Sequence, residues 1–236
     1  MISASFRPGA LLTVFVGTAL AVLVGLGTWQ AQRIEPKNQM IRSIEEGLAA
    51  APVMLPVHLD DPAAVAYRRF SFDGVASNAD PVRVFGTNLQ GQTGFHLYKP
   101  VVREFGRAVI VNFGWVPFEL KTMPTLPTGP VSIEGVLMES PVAGSFTVDN
   151  DPANGNWYIA DVHEIAGHYG LSSKDYYHFR LMADHDGVSR DLPRGGQVRV
   201  NIPNNHFQYM LTWFGIAAGL IGVYVVFGYK KAKEDN

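Results

Sequence analysis

The segment closest to a metal-binding helix is His163-Glu164-Ile165-Ala166-Gly167-His168. A zinc-protease helix holds its imidazoles at i and i+4. Here they stand at i and i+5, which swings them apart by about 140° around a helix, so the pair is read as no metal site. Asp149, Asp151 and Asp161 lack the spacing of a calcium loop, and Asx turns account for them. His58, His178 and His185 have no chemical companions, and no serine elbow or phosphate-cradling glycine loop occurs. These residues specify no enzyme. One constellation remains: His206 offers a ring nitrogen, Trp213 follows about two turns later on the same face, and Trp29 and Arg33 lie one turn apart in an earlier segment. A large flat apolar ligand bearing carboxylates suits this set, and haem fits it. The imidazole would meet iron, the indoles and glycine faces the ring, and Arg33 a propionate. Met210, one turn after His206, cannot be the opposite axial ligand, because side chains on one helix face reach one side of a porphyrin. An aromatic belt with a helix-capping histidine explains the same residues and stays open as the alternative.

Two apolar runs must position these groups. Residues 10–29 lie between Arg7 and Arg33, and residues 207–229 are closed by Lys230, Lys231 and Lys233. At about 1.5 Å per residue, each can cross a hydrocarbon core of about 30 Å. The first run exceeds the roughly 7–15 apolar residues of a signal peptide, and residues 27–30 offer no small-residue cleavage site. Only one arginine precedes it, unlike a mitochondrial leader, which points to a bacterial cytoplasmic membrane. The lysine-rich tail favours a cytoplasmic C-terminus, and two spans put both termini on one side. The expected organisation is a cytoplasmic start at 1–9, a span at 10–29, a periplasmic domain at 30–205, a span at 206–229 and a cytoplasmic tail at 230–236. Thr13, Gly17, Ala21 and Gly25 share one face of the first span, and Gly215 and Gly219 form a GxxxG in the second. Small faces permit close backbone approach, so the spans are expected to pack antiparallel through them. Asn204 or Asn205 is placed to cap the second span, and a buried imidazole at His206 demands a partner or a ligand.

The segment between the spans is long enough for one domain with its own core. The 236 residues carry a formal net charge of −2, which gives no basic face for nucleic acid. There is no cysteine, and with it go disulfides, zinc–thiolate sites and covalent haem attachment. Apolar spacing at Met40, Ile41, Ile44 and Leu48 predicts a helix over 38–51. Strands are predicted at 67–76, 82–88, 95–103, 107–115, 132–138, 177–182 and 197–202, with a hairpin at 104–106 and a short helix at 161–168. The fold class expected is a membrane protein. Two transmembrane helices flank a β-rich, barrel- or sandwich-like extramembrane domain with minor helices.

Six ordered segments resemble the surfeit-locus-one family of cytochrome oxidase assembly proteins. They are Gly27-Thr28-Trp29-Gln30-Ala31-Gln32-Arg33, Tyr67-Arg68-Arg69-Phe70, Gly94-Phe95-His96 with Pro100, and Val111-Asn112-Phe113-Gly114-Trp115-Val116-Pro117. Asp149-Asn150-Asp151-Pro152 with Trp157-Tyr158, and the stretch from Asn204-Asn205-His206 to Thr212-Trp213, complete them. The resemblance implies a non-enzymatic, two-span assembly factor for haem-copper oxidases, with haem a as transient cofactor and His206 as its iron ligand. It implies oxidase subunit I as partner, haem a synthase as a second, and the lipid bilayer as setting. The rival is a membrane scaffold that stabilises subunit I without touching haem. Two positions depart from the family pattern. Met210 replaces its usual alanine, and Phe113 stands where it often has arginine.

Overall fold

The computed structural model describes residues 6, 8–59, 61–104, 106–145, 147–184, 192–198, 200 and 202–234. Two units form: residues 44–200, and a helical unit built from 1–43 and 201–236.

In the helical unit, α1 runs Ala10–Ala49 and α3 runs His206–Glu234. Both are long and apolar enough to cross a membrane. The separate helix expected at 38–51 is instead the continuation of α1, which passes through Pro36 without a break. A proline removes one amide donor, and the helix formers Gln32, Arg33, Glu35, Lys37 and Gln39 on either side support the ladder around it. The two helices pack antiparallel. Thr13 Oγ1 meets Tyr224 Oη at 2.8 Å, Gly27 faces the ring of Phe214, and Gln30 meets His206. The Phe6 ring sits edge-on to Tyr224 and Tyr229 at 5.5 and 5.6 Å. The expected small-residue contact is not the one used. A Cβ built on Gly17, Gly25, Gly215, Gly219 or Gly222 would meet nothing within 4 Å. Gly27 alone among the glycines of 10–29 is the point of close approach, because the flat Phe214 ring fills the space a side chain would need. Leu11, Phe15, Val223 and Val226 face outward and exposed, as lipid-facing side chains would.

The other unit is built on seven strands. They are β1 (Val53–Met54), β2 (Arg69–Ala76), β3 (Val82–Thr87), β4 (Thr93–Arg103), β5 (Ala108–Pro117), β6 (Gly129–Glu139) and β7 (Tyr176–Ala183). Their order is β1-β2-β6-β7-β5-β4-β3, and an added β2–β4 pairing closes the middle five into a barrel. Closure pairs each of these five on both sides, and β1 and β3 stay outside the ring with one partner each. Alternation along β7 sends Tyr177, Phe179 and Leu181 into the barrel, where they pack with Phe72, Leu97, Val111 and Leu137. The opposite face carries Tyr176, His178, Arg180 and Met182. Part of that outer face is covered by α2 (Val162–His168), whose Ile165 and Ala166 pack on Val84, Tyr98 and Ile110. With a barrel inside and a helix outside, β5 is buried on both faces and reads as a nearly unbroken apolar run.

The predicted strand at 197–202 is not formed. Residues 197, 198, 200 and 202 are irregular, and 199 and 201 lie outside the described residues. Its place in the seven is taken by β1, which pairs parallel with β2 and is too short for an alternating pattern to reveal. The chain near 194 still reaches the sheet, through Trp115 N to Arg194 O at 2.9 Å and Arg194 N to Trp115 O at 2.8 Å. The hairpin expected at 104–106 forms, with Arg103 N bonded to Arg107 O and Gly106 N to Arg103 O.

Candidate functional site

Four residues were singled out as a cofactor site, and all lie in the helical unit. Trp29 is exposed near the middle of α1, and the Arg33 guanidinium lies over its ring at 5.5 Å, the i, i+4 spacing that puts both on one face. Arg33 pairs with no carboxylate among the described residues, so its donors are free for an anionic group. His206 opens α3 and is half-buried. Trp213 lies two turns further on, also half-buried, and no hydrogen bond or ring pair ties it to the other three.

The partner that His206 demanded is Gln30. Its Oε1 lies 2.7 Å from His206 Nδ1. A carboxamide oxygen only accepts, so Nδ1 carries the proton and Nε2 keeps its lone pair. Nε2 has no hydrogen-bond partner among the described residues. This is how metal-ligating histidines are commonly prepared: one nitrogen donates to an oxygen, which fixes the tautomer and aims the other at the metal. A second polar tie holds the chain just before α3. Asn204 Nδ2 donates to Asn38 Oδ1 at 2.7 Å, while Asn204 Oδ1 is buried with no partner. The first helical bond of α3, Tyr209 N to Asn205 O, makes Asn205 the residue from which the helix starts. Gln30 and Asn38 are partners that spacing alone did not assign. The available signal was the cost of a polar side chain beside an apolar run, which requires a mate for each. Met210 is half-buried one turn after His206.

The remaining motifs belong to the architecture of the β unit. Asn112, 1% exposed, accepts from Gly114 N through Oδ1 at 2.9 Å, across a bulge where β4 and β5 shift register. Gly114 has φ of +130°, and a Cβ there would meet the Arg194 carbonyl oxygen at 2.7 Å, so glycine is required. Asn150 Oδ1 accepts from Tyr158 N and Ile159 N, and Asp151 accepts from Asn154. Asp161 caps α2 through His163 N and Glu164 N. The two histidines of the zinc-like segment have different neighbours: His163 Nδ1 meets Tyr176 Oη at 2.6 Å, and the His168 ring lies against Trp157. His178 bonds the Ser173 carbonyl, and His185 lies outside the described residues. Phe113 lies in the barrel core, an apolar site suited to an aromatic ring.

The model of the SURF1 family matches residues 18–218. The SURF1-like protein of Rickettsia bellii is 26% identical over 229 residues, covering 95% of this chain and 92% of that protein. Surfeit locus protein 1 of Mus musculus is 29% identical over 217 residues, covering 84% of this chain and 69% of that protein. The human protein of the same name is 27% identical over 214 residues, covering 82% and 70%.

Proposed function

The chain belongs to the SURF1 family, and from that premise we propose that it is an assembly factor for a haem-copper cytochrome oxidase. It binds haem a as cargo and assists its delivery to oxidase subunit I. The observation that carries this reading is the Gln30–His206 bond, which leaves the other imidazole nitrogen with a lone pair that meets no hydrogen-bond donor among the described residues. His206 would hold the iron through Nε2. Arg33, with no carboxylate partner among the described residues, would take a propionate, and the faces of Trp29 and Trp213 would pack against the ring. As cargo, haem a would bring an iron that can take an imidazole nitrogen and carboxylates that can take a guanidinium. The residues fit that chemistry.

A carrier must release what it holds. A single protein imidazole supports that need, because the recipient's own histidines can displace one ligand more readily than two. The two apolar helices would anchor the protein in a bacterial inner membrane with the β unit on the periplasmic side, where it would dock subunit I or haem a synthase. No step in this role requires the protein to make or break a covalent bond.

The test is the spectrum of the full chain purified from cells that make haem a. The expected result is bound haem, with axial-ligand bands lost in His206→Ala. Colourless wild-type protein, or bands unchanged in the variant, would overturn the haem role. The first of those results favours the rival reading, a scaffold that stabilises subunit I without haem.

A further inference from the structure

The outer face of the barrel is only partly covered by α2. Beyond it, a cleft of about 420 Å³ lies over β4, β6 and β7, closed on one side by the chain around 158–160. That size falls within the range of small-molecule sites. Its walls are mixed: Met138, Ile159 and the exposed Tyr158 give an apolar side, beside the polar Thr87, Thr147 and Gln197. At its floor lie Arg180, Tyr98 and His96.

Arg180 is the anomaly. Its Nη1 donates to Tyr98 Oη at 2.9 Å, but its Nε is buried with no hydrogen-bond partner, and it pairs with no carboxylate among the described residues. A half-buried guanidinium without counter-charge is costly, and the cost falls when an anion in the cleft supplies its charge and acceptors for the Nη donors. The neighbours cannot supply them. Tyr98 spends its hydroxyl proton toward Met182 Sδ at 3.9 Å. His96 donates from Nε2 to Thr87 O at 3.2 Å and accepts from Asn112 Nδ2 at Nδ1, 3.1 Å away, so the bonded ring is neutral. Among the described residues that line the cleft, Arg180 is therefore the single cation, which matches one negative charge and not two.

We propose that this cleft is a binding site for a monoanionic organic carboxylate, held by Arg180 and packed by its apolar body against Met138, Ile159 and Tyr158. The site lies wholly within the β unit and does not rest on the haem role of the helical unit. A factor that docks other proteins could use such an occupant to set the shape of this face.

Isothermal titration calorimetry of the full chain in nanodiscs tests it, with 3-phenylpropionate as probe, 3-phenylpropan-1-ol as the uncharged match and inorganic phosphate as the bare anion. Saturable binding of the carboxylate is expected, with the alcohol and phosphate weaker by about tenfold or more. Arg180→Gln should weaken the carboxylate by a similar factor, and Arg180→Lys, which keeps the charge, by less. No saturable binding of the carboxylate, equal binding of the alcohol, equal binding of phosphate, or full retention in a folded Arg180→Gln protein would each overturn the proposal. If Arg180→Gln fails to fold, the comparison of carboxylate with alcohol on the wild-type protein decides alone.

Discussion

Gln30 Oε1 accepts the Nδ1 proton of His206 across 2.7 Å, joining the middle of α1 to the first residue of α3. The bond does two things at once. It satisfies an imidazole beside an apolar run, and it fixes which nitrogen is left to bind a metal.

Removing that oxygen should therefore hurt binding more than folding. Gln30→Ala is expected to weaken haem affinity by about 10–100-fold, the usual effect of losing the partner that orients a ligating histidine. Its effect on stability should stay near 1 kcal/mol, the net worth of one hydrogen bond. Haem titration followed by absorbance, beside thermal unfolding in detergent, separates the two. Equal haem affinity in wild type and variant would show that Gln30 does not position His206 for iron.

A second relationship predicts a pH dependence. Burial pushes the His96 pKa below its ordinary value, the Thr87 carbonyl raises it less, and the Arg180 charge lowers it further. The unfolded chain then holds the extra proton in the interval between the folded pKa and about 6.5, so stability rises with pH there. The contribution is complete above about 6.5 and is lost as pH falls from there toward the folded value. The unfolding temperature of the full chain should drop between about pH 7.5 and pH 5. In His96→Gln the drop should shrink. Identical slopes for the two proteins would remove His96 as the cause.

Much of this was legible in sequence, for reasons that differ by element. The two apolar helices and six of the strands announce themselves because long runs and alternation are local signals. The strand β1 is two residues long and owes its pairing to Ser71 and Phe70 of β2, which no local pattern encodes. The continuity of α1 through Pro36 was hidden because a proline mid-helix ordinarily marks a boundary. Within the candidate site, residue types drew attention to His206, Trp29, Arg33 and Trp213, and the structure pairs Arg33 with Trp29 and His206 with Gln30 while leaving Trp213 apart. The role of Gln30 needed the third dimension, since 176 positions separate it from its partner.

The helix hairpin offers a contrast between glycines. A Cβ on Gly27 would lie 2.7–2.9 Å from the Phe214 ring, whereas one on Gly219 would meet open space. Gly27→Leu should destabilise the hairpin by about 1–3 kcal/mol through overpacking. Gly219→Leu should be near neutral, and Phe214→Ala should recover much of the Gly27→Leu loss by clearing the space. Thermal unfolding in detergent measures all three. A larger loss from Gly219→Leu than from Gly27→Leu would return the contact to the GxxxG face.

Asn112 makes the sharpest case, because its amide faces His96 Nδ1 in a place where burial already disfavours the charged ring. It is 1% exposed and fully bonded: Oδ1 accepts from Gly114 N, and Nδ2 donates toward His96 Nδ1 and Met182 Sδ. Asn112→Ala removes these bonds and leaves Gly114 N without its acceptor, which should cost about 2–3 kcal/mol. Asn112→Asp keeps the shape and the acceptor but replaces the donor facing His96 with a negative charge. That charge favours the imidazolium, so the folded His96 pKa moves above its unfolded value. The sign of the pH dependence then inverts. In Asn112→Asp the contribution is fully present below about 6.5 and lost as pH rises through the folded pKa, the reverse of the wild-type trend. Unfolding temperatures at about pH 5.5 and pH 7.5 should therefore change in opposite directions in the two proteins. Parallel slopes would mean that the Asn112 amide does not hold His96 neutral.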